Sequence, residues 1–199
     1  MSILLPTPFS ALIFDCDGTL VNTAPAHLAA VRQAIQPQGH SMPHDWYMDR
    51  AGLTPDALLD ALEIEAEALG NPATPLDRAA IFDSYDLLFQ ESLHHLREVS
   101  AVADMARSWH GKLPLAVASN GRRANVQASL RATGLLSLFN HIIAAEDVAA
   151  GKPAPDVFLE AARRMEVEPA ACVVLEDSDE GLRAATAAGM RSVDVRLIE

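Results

Sequence analysis

From residue 113 onward the chain alternates between short apolar runs and amphipathic segments, and this alternation narrows the fold more than any other feature. The runs lie at 115–118, 142–145, 173–175 and 193–195. Between them, segments near 122–133, 155–165 and 179–188 have the spacing of amphipathic helices. Gly134 and Gly189 stand where helices end, at positions that favour a left-handed residue. Strand–helix alternation with short loops predicts a parallel sheet covered on both faces. Ala11-Leu12-Ile13-Phe14 supplies a further strand near the start. The expected class is α/β, with a Rossmann-like parallel sheet whose ligands gather beyond the carboxyl ends of the strands.

Residues 22–92 break this rhythm, with no strand-like run among them. Leu58, Leu59, Leu62, Ala66 and Leu69 share one helical face, while Glu63 and Glu67 lie on another. Thr74-Pro75 reads as an N-cap followed by proline at the first helical position, with Asp77 completing an approximate capping box. Ile81, Phe82, Tyr85, Leu88, Phe89, Leu93 and Leu96 predict one long helix. The expected organisation is an α/β core from residues 1–21 and 93–199, with an all-helical insert over 22–92. The insert's place in the chain puts it above the loop that follows the first strand.

Half of the residues are apolar, enough for a real core in a chain of 199 residues. The net charge of −12 disfavours nucleic acid and anionic membranes as partners. No apolar run approaches membrane-spanning length, and no basic segment precedes an apolar stretch at the N-terminus. The two cysteines, Cys16 and Cys172, make no disulfide framework, so the chain reads as cytoplasmic. Carboxylates beside Cys16 would suppress its thiolate, so it is not read as a nucleophile. An acidic protein that handles an anion needs local positive charge at its site.

The segment Asp15-Cys16-Asp17-Gly18-Thr19 follows the first apolar run directly. A buried strand thus delivers two carboxylates to its end, and a glycine lets the backbone turn. Two such acids stay ionised together only beside a cation, and Mg²⁺ prefers hard oxygen ligands. Three further segments fall at or near strand ends: Ser119-Asn120, Gly151-Lys152-Pro153 and Glu176-Asp177-Ser178. Each alone has an ordinary reading, as a helix cap, a surface lysine or a solvated turn. Together, in this order on this alternation, they describe a phosphate site.

With these motifs the chain resembles the haloacid dehalogenase superfamily of phosphohydrolases, over nearly its whole length. Asp15-x-Asp17-Gly18-Thr19-Leu20 is the most specific element. Lys152-Pro153-x-Pro155-Asp156-x-Phe158 is similar to the branch with a helical cap, which holds β-phosphoglucomutase and many sugar-phosphate phosphatases. Ser108-Trp109-His110-Gly111, the segment from Cys172 to Asp177 and the tail from Ala187 to Leu197 look most like bacterial fructose-1-phosphate phosphatases, a type that also takes 6-phosphogluconate.

The resemblance implies roles. Asp15 is the expected nucleophile, forming an aspartyl-phosphate, and Asp17 the acid and then the base. Mg²⁺ is expected on the Asp15 carboxylate, the Asp17 carbonyl and Asp177, with Glu176 close by. Lys152, Ser119, Asn120 and the turn at Gly18 would hold the phosphoryl oxygens. The expected partner is a small phosphorylated metabolite, and a single cap of this size implies a monomer.

His27 stands where β-phosphoglucomutase has a histidine that helps activate the sugar hydroxyl, which keeps a mutase as the alternative. Pro55 stands where the mutase cap has an arginine for the distal phosphate, and Arg78 and Arg97 are the only bases on or beside the 76–96 segment, where the mutase cap supplies a lysine. Hydrolysis is therefore the expectation. Asn22 and Pro25 replace the usual Asp and Glu, and Arg97-Glu98-Val99-Ser100 lacks the usual proline-rich turn. These departures lie near the hinges of the insert.

Overall fold

The computed structural model describes residues 5–50, 53–68 and 75–198. In chain order, β1 (Ala11–Phe14) and β2 (Val21–Asn22) precede four helices: α1 (Ala24–Ile35), α2 (His44–Met48), α3 (Pro55–Ala68) and α4 (Arg78–Glu91). The chain continues through β3 (Arg97–Glu98), α5 (Ser100–Trp109), β4 (Leu115–Ala118), α6 (Arg123–Ala132) and β5 (His141–Ile143). It ends with α7 (Asp156–Met165), β6 (Cys172–Glu176), α8 (Asp179–Ala187) and β7 (Arg191–Asp194). No helix among the described residues is long and apolar enough to cross a membrane.

The main sheet is parallel, in the order β5-β4-β1-β6-β7. Its central strand β1 is buried at every residue, which is why that segment is a continuous apolar run. Side chains alternate across the pleat. Leu12 and Phe14 join one core with α5 and α6, while Ala11 and Ile13 join the other with α7 and α8. Each large side chain so buried contributes roughly 1.5–3 kcal/mol.

The helical insert has its own core of Leu28, Val31, Ile35, Met42, Leu59, Leu62 and Ile81. α1 serves both bodies, because Ala26 and Ala30 face the α/β core. Phe89 of α4, fully buried, also packs into that core. The expected apolar face of α3 is present through Leu59 and Leu62, whereas Leu69 lies outside the described residues.

Four local expectations need correcting. The long helix predicted through Leu96 ends at Glu91; Leu93–His95 form a 3-10 turn and the chain then straightens. The reason is β3, which pairs antiparallel with β2 (Val21 with Glu98, Asn22 with Arg97) and brings the two ends of the insert together. Asp77 does not complete a capping box but caps α4 itself, its Oδ1 accepting from the Ala80 N–H at 3.1 Å; Thr74 lies outside the described residues. The strands expected at 142–145 and 193–195 begin earlier, at His141 and Arg191. They are edge strands with half-buried faces, so register against β4 and β6 sets their limits rather than apolarity. Gly134 and Gly189 do end helices, with φ of 73° and 71°.

Candidate active site

Asp15 follows β1 and is still held by the sheet, its N–H donating to the Leu175 carbonyl at 3.0 Å. The chain then doubles back. Leu20 and Val21 N–H groups donate to the Cys16 carbonyl, and the Gly18 N–H donates to Val21. Gly18 has φ +88°, and a Cβ there would lie 2.1 Å from Asp177 Oδ2. Both facts demand glycine. Gly18→Ala is expected to lower the melting temperature, at a cost of more than about 1 kcal/mol. It should also weaken divalent-ion binding, read by calorimetry, because Asp177 must move.

The first group of site residues surrounds Lys152. Its Nζ donates to Asp15 Oδ1 at 2.5 Å and to Glu176 Oε2 at 2.7 Å, and all three residues are buried. Burial alone would lower the lysine pKa, but the two carboxylates override it and hold the ammonium above its usual value. The other oxygen of Glu176 accepts from the Asp177 and Ser178 N–H groups and the Ser178 hydroxyl at 2.8–3.1 Å. Gly181 leaves the room for this, since a Cβ there would lie 2.0 Å from the Glu176 carboxylate. Glu176 is thus a brace for Lys152. Asn120 locks the lysine loop to the loop after β4, accepting from the Lys152 N–H at 2.7 Å and donating to its carbonyl at 3.2 Å.

Oxygens of Asp15, Glu176 and Asp177 lie within 4.8 Å of one another. Thr19 donates to Asp177 Oδ1 at 2.7 Å. Three carboxylates face one ammonium. Burial, then the Glu176 charge, pushes the Asp15 carboxyl well up, against the pull of Lys152. Burial pushes Asp177 up to about 6, opposed by the Thr19 hydrogen bond. An excess of hard oxygen donors and negative charge around a glycine-lined gap fits a divalent cation such as Mg²⁺. The Asp17 side chain is not part of this cluster.

Asp17 belongs to a second group. Its Oδ1 accepts from the Thr23 hydroxyl at 2.8 Å and meets His27 Nε2 at 3.0 Å; its Oδ2 accepts from the Ser119 hydroxyl at 3.1 Å. Burial would raise this carboxyl, but the hydrogen bonds from His27, Thr23 and Ser119 hold it below the usual range. His27 lies on α1, so the insert reaches directly into the site. Cys16 is buried, and burial followed by the Asp17 and Asp15 charges pushes its thiol up, which removes it as a nucleophile.

A cavity of about 630 Å³ opens above both groups. Its far wall comes from the insert and is mostly apolar, with Val31, Leu53, Leu58, Ile81 and Phe82, beside Tyr47, Asp49 and Tyr85. Lys152 and Arg196 are the lysine and arginine side chains among the described lining residues, and Arg196 is occupied by Asp179 and Asp194 at 2.7 Å each. The structure therefore brings together Asp15, Lys152, Glu176 and Asp177, and separately Asp17, His27 and Ser119, around Gly18 and Asn120. Sequence reasoning missed Thr23, Tyr85 and the brace at Ser178. Only Tyr85 left a signal, since a tyrosine on an apolar helical face needs a partner for its hydroxyl.

A family model described as haloacid dehalogenase-like hydrolase matches residues 9–189. The fructose-1-phosphate phosphatase YqaB of Escherichia coli is 36% identical over 203 residues, covering 96% of this chain and 98% of its own. The protein CbbY of Rhodobacter capsulatus is 34% identical, over 92% of this chain and 83% of its own. Among solved structures, CbbY from Rhodobacter sphaeroides in complex with phosphate superposes with a TM-score of 0.80 at 28% identity, covering 93% and 85% of the two chains. The parallel sheet, the helical insert and the acid-and-lysine cluster agree with these likenesses, and the chain belongs to the haloacid dehalogenase-like hydrolases, as a phosphatase carrying a helical cap.

Proposed function

We propose that the protein is a Mg²⁺-dependent phosphatase of small sugar phosphates, such as fructose 1-phosphate or 6-phosphogluconate. The observation that carries this reading is the Asp15 carboxylate beside buried Lys152 at the floor of the cavity. Asp15 attacks phosphorus as the bond to the sugar oxygen breaks, and Asp17 gives that oxygen its proton. Asp17 then takes a proton from water, which attacks the aspartyl-phosphate and releases phosphate while Asp15 is regenerated. Lys152 stabilises charge on the phosphoryl oxygens, with the Ser119 and Asn120 loop and the Gly18 turn beside it. Asp15, the Asp17 carbonyl and Asp177 would hold Mg²⁺, with Glu176 alongside. The ion, when bound, supplies the positive charge that lets an anionic nucleophile meet an anionic ester. Residues 22–92 serve as the cap that selects the sugar.

Hydrolysis is favoured over transfer between sugar hydroxyls by the apolar far wall. A mutase must grip a second phosphate there, and the described lining residues from the insert include no lysine or arginine for it. The test is phosphate release over a panel of phosphorylated metabolites, with and without Mg²⁺. Release from sugar monophosphates that stops in EDTA is expected; isomerisation outpacing release, or no release at all, rejects the reading. Proton competition at Asp177 adds a second expectation. Because burial raises Asp177 to about 6 and lifts Asp15 as well, the Mg²⁺ concentration for half-maximal rate should climb at least about tenfold per pH unit below pH 6.

A further inference from the structure

One polar side chain in the cavity has no part in the chemistry above. Tyr85 of α4 sets its hydroxyl against Nδ1 of His27, whose Nε2 meets Asp17. The imidazole stacks on Phe89 with centroids 4.4 Å apart and planes within 9°, and the Tyr85 ring is parallel to it within the same angle. The ring of His27 is thus held on its face by Phe89 and at its edge by Tyr85.

For a neutral imidazole the donors and acceptors leave one arrangement, because a bare Nε2 would face the Asp17 carboxylate. The Asp17 carboxylate accepts hydrogen bonds from Thr23 and Ser119, and a third from Nε2 of His27 when that nitrogen carries the hydrogen. Nδ1 is then the lone-pair side of the ring, and the Tyr85 hydroxyl is the donor that faces it. Burial, then Tyr47 and Asp17, pushes the Tyr85 phenol well up, so it keeps its proton to donate. The next residue places α4 against the core. Asp86 pairs with Arg122 at 3.0 Å and accepts from Asn125 Nδ2 at 2.9 Å, at the start of α6, beyond the Ser119 loop.

We propose that Tyr85 is a positioning residue, which selects the His27 tautomer with hydrogen on Nε2 and thereby fixes the orientation from which Asp17 moves protons. The inference rests on the phosphatase reading, because only there does Asp17 exchange protons with a leaving oxygen and with water. The Tyr85 hydroxyl meets His27, and Lys152 meets Asp15 and Glu176, so the loss of Tyr85 acts on turnover rather than on binding.

Tyr85→Phe keeps the ring and removes only the hydroxyl. It is expected to lower kcat about tenfold, with KM within about twofold, as loss of an orienting partner does elsewhere. Nitrogen NMR should show His27 as the Nε2–H tautomer in the wild type and as a mixture in the variant. In a His27→Ala background the same substitution should cost nothing more, since its effect runs through the imidazole. An unchanged kcat and tautomer, or an equal loss in both backgrounds, overturns the positioning role. A wild type silent over the whole metabolite panel overturns the phosphatase reading instead.

Discussion

Asp15→Asn is expected to reduce phosphate release by about 10⁴-fold or more while leaving the protein folded. The amide matches the carboxylate in size, and its oxygen can still accept from Lys152 Nζ, which lies 2.5 Å from Oδ1 in the native site. It has no charged oxygen with which to attack phosphorus. The effect on stability runs the other way. Burial and the Glu176 charge raise the folded-state pKa of Asp15, so its neutral form is favoured by folding. A carboxyl raised in this way contributes stability at low pH that is lost as pH climbs through the folded value. Asparagine is neutral at every pH and escapes that loss. Without Mg²⁺ the variant should therefore melt at or above the wild-type temperature at pH 7. Phosphate assays at saturating Mg²⁺, with melting curves on the same samples, check both halves. Wild-type release from a folded Asp15→Asn protein would sink the nucleophile assignment.

The strands and helices of the α/β core were legible because burial on both faces forces continuous apolar runs. β1 and β4 are buried at every residue, and the sequence showed them at their true limits. The edge strands β5 and β7 carry His141 and Arg191 at their starts, where half-exposure relaxes the demand for apolar side chains. The β2–β3 ladder was invisible because two residues per strand carry no period. Its role is nonetheless large, since it closes the base of the helical insert.

The polar floor of the site was legible for a different reason. Asp15 and Asp177 directly follow strands, Glu176 ends one and Lys152 lies in a loop beyond another, and the parallel sheet aligns those ends. The cap side was less so. His27 stood out by resemblance, but Tyr85 meets His27 only once α1 and α4 pack side by side, and Thr23 meets Asp17 only once the turn after β1 brings the start of α1 back to it. That packing depends on which apolar faces meet, such as Phe89 on the α/β core and Ile81 in the insert, and periodicity leaves that choice open.

Lys152→Met should destabilise the metal-free protein by about 3–5 kcal/mol at neutral pH, the usual result of removing one partner from a buried ion pair. Methionine fills the space but leaves Asp15 Oδ1 and Glu176 Oε2 across an apolar chain, where an ammonium had bridged them at 2.5 and 2.7 Å. The pH dependence separates this cause from simple mispacking. In the wild type the lysine pKa is raised by its two partners, so its contribution is fully present below the unfolded lysine value and is lost only in strong alkali. In the variant the stranded carboxylates favour their protonated forms, whose stabilising effect fades as pH rises. The gap between the two proteins should therefore widen from pH 5 to pH 8 in urea unfolding. A gap of equal size at both would point to packing alone. Turnover should fall by about 10²–10³, the scale for losing one preorganised charge at a reacting group. Mg²⁺ should stabilise the variant more than the wild type, because a cation at the carboxylate cluster restores part of the positive charge that the methionine lacks.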